Sequence, residues 1–500
     1  MDLHAILVPF PAQGHINPTF QLALKLLHGD GGFKYISFIN TSYNHDRIVT
    51  NGRCQDLLCL PGLKLISIDD GLPTDHGRLN DPRIEQFGDA IDALHESMHS
   101  LICDIVRKAS SDSVDTTPVA CIISDVYFYW MPDIADAVGV PWVPFWTTPA
   151  SASLAYCSIN QLLDEKLVPV NVTHSESTEK VVDCILGMHP LRAWELPSFL
   201  QSTSGKVSDF FFQWCVRRFD HRILKRAKWH LCHALYELDK DGLDAFEQLL
   251  NIKCFPVGPL LPSPFFSAEM DTWPAMDTSI WPTDEGCKKW LDKQKARSVL
   301  YISFGSIAHM EAQQVEELEA GIIASEQPFL WALRPDTYVS TLENLEEFKK
   351  RTRHQGLIVS WAPQLSVLSH RSVGAFFTHC GWNSILEPMA GGVPLLAWPG
   401  GFSEQAMNSR YVAEFWRNGL GLGKQQTGNG HEMLNRNEVK IAISTIFSKS
   451  SQKGKEVRER AAELQKIVRE AVLCPDGSSE TNLRCLIREI RSLKLAQKPN

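Results

Sequence analysis

From Trp361 to Gln405 the chain reads WAPQLSVLSHRSVGAFFTHCGWNSILEPMAGGVPLLAWPGGFSEQ, and this stretch decides the fold. Val373 to Phe377 is an apolar run of strand length. Thr378 to Trp382 is a turn of mostly small residues, and Asn383 opens a helix. Pro394 to Ala397 is a second short strand. A strand, a tight turn and a helix start present unpaired backbone N–H groups to an anion. His379, Asn383 and Ser384 add side-chain donors there, which suits a diphosphate. Glu387, one helical turn on, is placed to accept from a ribose diol. Trp361 offers a flat face for a base. Taken singly, Trp361 reads as core and His379 as a capping group; the ordered set resists that reading.

Working outward, a second α/β series begins at Ser298. Val299 to Phe304 is a strand running into Gly305-Ser306, Glu311 to Ser325 a helix, and Phe329 to Leu333 and Leu357 to Val359 are strands. The first half repeats the pattern. Strands are expected at His4–Val8, Tyr35–Ile39, Leu63–Ile68, Val119–Ser124 and Trp142–Trp146, with helices at Ile16–Leu27, Glu85–Lys108 and Met131–Val138. Alternating strands and helices mean parallel sheets, and two such series mean two doubly wound domains with a cleft between them. Phe210 to Leu235 carries charges and aromatics on helical spacing, and Ile252 to Val257 is a short strand. The boundaries drawn are 1–257, a proline-rich linker at 258–282, 283–476, and a last helical segment at 477–500 with Leu483, Leu486, Ile487, Ile490 and Leu493 on one stripe.

The 500 residues hold 44% hydrophobic and 21% charged residues, ordinary for a globular protein. Lys plus Arg is 49 and Asp plus Glu is 58, a net charge of −9 that argues against nucleic acid as a partner. Thirteen cysteines without a CxxC pair point to a reducing compartment, and the Met1-Asp2-Leu3-His4 start lacks a basic signal region, so a cytoplasmic location is expected. No apolar run is long enough for a membrane span. The sequons at Asn40 and Asn171 then read as accidental. G-x-S-x-G and P-loop patterns are missing. Asp239-Lys240-Asp241 spells DxD, a pattern that can hold a metal ion, but reads here as a chance surface acid pair.

Two residues of the first half carry the chemistry. His15, in Pro9-Phe10-Pro11-Ala12-Gln13-Gly14-His15-Ile16-Asn17-Pro18, follows a strand and stands where a helix begins. A helix N-terminus disfavours imidazolium, so a neutral ring could act as general base. Asp125, at the end of Cys121-Ile122-Ile123-Ser124, could fix the tautomer of that ring and stabilise its charged form. Alone, His15 also reads as a plain loop histidine and Asp125 as a solvated or capping acid.

These two stretches closely resemble the plant-type family 1 UDP-sugar glycosyltransferases of the secondary-product class. Residues 361–405 match that family's signature box and Pro9 to Pro18 its N-terminal catalytic loop, with resemblance over nearly the whole chain. The resemblance implies a GT-B fold: two facing Rossmann-like domains, the first binding acceptor, the second UDP-sugar, with the last helix packing back on the first. It implies His15 as general base with Asp125 as partner, Trp361 on uracil and the Ala362 backbone on its edge. It puts Gln364 and Glu387 at the ribose, and His379, Asn383, Ser384 and Ser306 on the diphosphate. Trp382, Glu404 and Gln405, with Thr147 from the first domain, would meet the sugar. The activity implied is inverting O-glucosylation of a small hydrophobic acceptor, phenolic or flavonoid, by UDP-glucose, without metal or other cofactor. The enzyme is expected to be a monomer.

Two departures stand out. Gly400, Gly401, Phe402 and Ser403 separate Trp398-Pro399 from Glu404-Gln405, one residue more than the family's usual three, and an outward bulge at the glycines would keep the Glu–Gln pair in place. Pro388 stands near the start of the expected phosphate helix, where the family more usually has a small polar residue. The acceptor pocket is expected from variable segments, at 73–87, 149–194 and the helices after them, with Tyr127, Tyr129, Trp130 and Trp146 supplying aromatic surface.

Overall fold

In a computed structural model of the protein, residues 2–28, 32–50, 60–81, 83–110, 117–266, 284, 286–305, 310–334, 342–423 and 433–496 are described. The first half builds a parallel sheet from β1 (Leu3–Val8), β2 (Phe33–Thr41), β3 (Leu63–Ile68), β4 (Val119–Asp125), β5 (Trp142–Trp146), β6 (His230–Cys232) and β7 (Cys254–Pro256), in the order β7-β6-β5-β4-β1-β2-β3. The second half builds another from β8 (Val299–Ser303), β9 (Phe329–Ala332), β10 (Gly356–Val359), β11 (Val373–Thr378), β12 (Leu395–Ala397) and β13 (Gly419–Gly421), in the order β10-β9-β8-β11-β12-β13. The central strands β1, β4, β8 and β11 are buried along their whole length, which is why they read as unbroken apolar runs.

Strand order reverses between β1 and β4 in one sheet and between β8 and β11 in the other. In open α/β sheets the crevice at such a switch point binds ligands. His15 follows β1 and Asp125 ends β4; His379 follows β11, beside the end of β8. Both halves thus bring their candidate residues to the same kind of place.

The segment 210–235 departs from the expected helix. It is a helix at Phe210–Arg218, a short turn of helix at His221–Leu224, then strand β6. His230 and His233 look polar in sequence, but burial lowers both to a pKa of about 3, so the rings in β6 and just after it are neutral. The expected linker starts as packed structure, since Leu260, Leu261, Phe265 and Phe266 are buried. Its Trp273-Pro274 and Trp281-Pro282 pairs lie outside the described residues.

Late in the chain, the long helix Gln452–Leu473 packs on Asn383–Gly391 of the second half. The chain then crosses back. Helix Ser478–Ala496 buries Leu483, Leu486, Ile487 and Ile490 in the apolar cluster that holds Leu3, Ala5 and Leu7 of β1. Asn482 Nδ2 donates to the Pro256 carbonyl at 2.9 Å and Lys494 Nζ to that of Val119 at 3.0 Å.

Candidate active site

His15 sits in the first turn of the helix Gln13–His28, with Thr19 Oγ1 donating to its carbonyl at 2.8 Å. Its Nδ1 lies 2.6 Å from Asp125 Oδ2 and 2.8 Å from Thr147 Oγ1. The Asp125 side chain is fully buried, and its Oδ1 accepts from the Tyr127 backbone N–H at 3.0 Å. A proton on Nδ1 shared with that carboxylate leaves the Nε2 lone pair to the cleft. Phe10 and Tyr127 flank the imidazole, with ring centroids at 5.2 and 5.7 Å.

Across the cleft, Trp382 caps the helix Asn383–Gly391. Pro388 lies inside that helix, which ends three residues later at Gly391, capped by Gly392 at φ 65°. The turn before it is held by Cys380 at φ 69° and by Asn408 Nδ2, which donates to the Cys380 carbonyl at 2.9 Å. Burial lowers His379 to a pKa of about 4, outweighing a backbone interaction with Ser303. The ring is therefore neutral, with a single N–H to give, and its Nδ1 is buried without a protein partner. Gly305, at φ 78°, makes room for it: a Cβ there would lie 2.5 Å from His379 Nε2. Ser306 lies outside the described residues.

Gln364 Nε2 donates to Glu387 Oε2 at 2.7 Å, and Tyr301 OH to Gln364 Oε1 at 3.3 Å, so the two residues expected at a ribose meet at one point. Trp361, Ala362, Gln364, His379, Trp382, Asn383, Ser384, Glu387, Glu404 and Gln405 all line one cleft with His15 and Thr147. Gln405 Oε1 is occupied by the Gly400 N–H at 2.9 Å, so the side chain offers its NH₂. Burial raises the pKa of Glu404, whose Oε2 accepts from Ser403 Oγ at 2.5 Å.

Other expectations shift. Of the four aromatics expected around the acceptor, only Tyr127 lines the cleft; Trp146 stacks on Phe219 in the core and Trp130 is buried. The wall is instead made by Phe10, Phe87, Phe199, Phe211, Trp214 and Phe402. Phe211 and Trp214, three apart on one helix, carried a helical signal; Phe199 and Phe402 carried none. Asp239 is no surface acid. It is buried, accepts from Ser151 N at 3.2 Å, and its pKa is pushed up to about 7. Among the described residues no three His, Cys, Asp or Glu side chains converge as a metal site would require.

Residues 92–451 match the model of the UDP-glucoronosyl and UDP-glucosyl transferase family. The chain belongs to the plant family 1 UDP-glycosyltransferases. Linamarin synthase 1 of Manihot esculenta is 34% identical to it over 492 residues, covering 97% of this chain and 96% of that one. The 7-deoxyloganetin glucosyltransferase of Catharanthus roseus is 33% identical, covering 98% and 96%. A crystal structure of a UDP-glucose: anthocyanidin 3-O-glucosyltransferase with UDP superposes at a TM-score of 0.78 with 26% identity, covering 98% of this chain and 99% of that one. This UDP-glycosyltransferase has the GT-B fold and transfers a glycosyl group from a UDP-sugar to a small-molecule acceptor. Among its described residues, no helix is long and apolar enough to cross a membrane.

Proposed function

We propose that this glycosyltransferase moves glucose from UDP-glucose onto a hydroxyl of a small hydrophobic acceptor, phenolic or flavonoid, releasing a β-glucoside and UDP. One observation carries the reading: His15, held by the buried Asp125 at 2.6 Å, lines the same cleft as the start of the helix Asn383–Gly391. His15 Nε2 takes the acceptor's hydroxyl proton as the oxygen attacks the anomeric carbon from the face opposite UDP. The bond from that carbon to the diphosphate oxygen breaks, which inverts an α-linked donor. Asp125 stabilises the imidazolium that forms. The backbone N–H groups at Asn383 and Ser384, with the His379 ring, meet the charge gathering on the diphosphate, a role the family resemblance also implies for Ser306, so no metal is required for that role.

Glucose is favoured as donor by Gln405, which ends the signature box where the family pairs Gln with glucose, and whose NH₂ is the free end of its amide. Glu404 supplies a neighbouring acceptor. The aromatic wall favours a planar acceptor. The reading includes a monomer working in the cytoplasm, where cysteine thiols stay reduced. The test sets UDP-glucose, UDP-galactose and UDP-glucuronic acid against each other, with phenolic, flavonoid and terpenoid alcohols as acceptors. Acceptor-dependent UDP release with the highest kcat/KM for UDP-glucose and a phenol is expected. A better rival donor overturns the glucose assignment, and a better terpenoid the acceptor class.

A further inference from the structure

The loop Gly400–Ser403 does not bulge into solvent. Gly401 at φ 77° and Ser403 at φ 53° turn it toward the first half of the molecule. There Ser403 N donates to Ser198 Oγ at 2.7 Å, and Ser198 N donates to the Ser403 carbonyl at 2.8 Å. A non-glycine residue in the left-handed region is uncommon, and here it aims both backbone groups of Ser403 at one partner. Between the two glycines and that pair stands Phe402. Its ring meets Phe199 edge to face, with centroids 5.3 Å apart at 82°. Phe199 in turn contacts Phe211 and Trp214, at 5.7 and 6.1 Å. All four rings line the cleft.

We propose that Phe402 is an acceptor-selecting residue lent to the acceptor wall by the nucleotide-binding half, and that the Ser198–Ser403 pair positions it. The inference rests on the glucosyl-transfer reading above. The extra residue supplies the reach, because the four-residue loop spans from Pro399 to the partner half and returns at Glu404. The same loop braces the residues assigned to the sugar: Gly400 N binds Gln405 Oε1 and Ser403 Oγ binds Glu404. An acceptor with a flat, fused or multi-ring face packs against the Phe199 and Phe402 edges, and a single small ring leaves that contact unused.

Steady-state kinetics with UDP-glucose, using quercetin and 4-nitrophenol as acceptors, test this. Phe402→Ala is expected to raise the quercetin KM about tenfold, with the UDP-glucose KM within about twofold of the parent and a smaller change for 4-nitrophenol. Ser198→Ala is expected to raise the quercetin KM about threefold, and Ser198→Thr, which keeps a hydroxyl, to restore it. An unchanged quercetin KM in Phe402→Ala, or an equal rise for donor and acceptor, overturns the proposal. If Phe402→Ala does not fold, Phe402→Leu decides by the same ratio. A parent protein that glucosylates no acceptor overturns the functional reading instead. Quenching of tryptophan fluorescence by quercetin in the UDP-loaded parent and variant then decides the Phe402 proposal separately.

Discussion

Asn383 Nδ2 donates to the carbonyl of Gly14 at 2.9 Å. The residue that opens the nucleotide-side helix is thereby tied to the residue before His15. Trp382 Nε1 adds a second tie at 2.6 Å, to the carbonyl of His233. Two reacting groups gain rate when their separation is fixed before they meet. These bonds fix the spacing between the two halves through side chains of the signature box itself.

His15→Ala is expected to lower kcat by about 10²-fold or more while UDP affinity stays within about twofold. Calorimetry of UDP binding beside steady-state rates checks it. A rate within about threefold of the parent would remove His15 as the base.

Asp125→Asn is expected to lower turnover by at least about tenfold without a large change in melting temperature. Asn still accepts from the Tyr127 N–H but cannot balance an imidazolium. Turnover measured with melting curves separates the chemical role from a folding defect.

Asp239 gives a pH prediction. Its folded pKa of about 7 stands above the ordinary 3.8, chiefly through burial, with Asp241 adding like-charge repulsion and the Ser151 and Ala150 backbone opposing. Between those values the folded protein keeps a proton that the unfolded chain has lost. The stabilisation is fully present below pH 3.8 and is lost as pH rises through about 7. Asp239→Asn is expected to flatten this part of the profile, so the melting temperatures at pH 5 and pH 8 (about one unit or more either side of the folded pKa) draw together. Parallel profiles for parent and variant would count against it.

Glu404→Ala is expected to lower kcat/KM for UDP-glucose well over about tenfold, since a charged acceptor near the sugar hydroxyls is lost. Isothermal titration with UDP, which lacks the sugar, should change by less than about twofold. A silent substitution would mean that the Glu404–Gln405 pair does not face the sugar.

The His15–Asp125 pair and the cleft opposite it were legible because their residues stand at or just past the ends of buried apolar strands, where sequence period and turn chemistry agree. Strand β6 was hidden by His230 and His233, whose neutrality comes from burial that only the folded sheet supplies. Helix Gln452–Leu473 has its apolar stripe in sequence at Val457, Ala461, Leu464 and Val468, but charge dominates the segment. The acceptor wall could not be read locally. Phe199 and Phe402 meet through a serine pair 205 residues apart, and nothing in either neighbourhood encodes the other.

The returning helix Ser478–Ala496 has a consequence for synthesis. A chain emerges from the ribosome N-terminus first and folds by domains as it does so. Yet β1 shares its apolar cluster with Leu483, Leu486, Ile487 and Ile490, which are made only after every strand of the second sheet. The first domain therefore waits, with an uncovered greasy face, for the whole second domain to be translated. A stop codon at 478 would leave every strand of both sheets in place and still release a protein with that face bare.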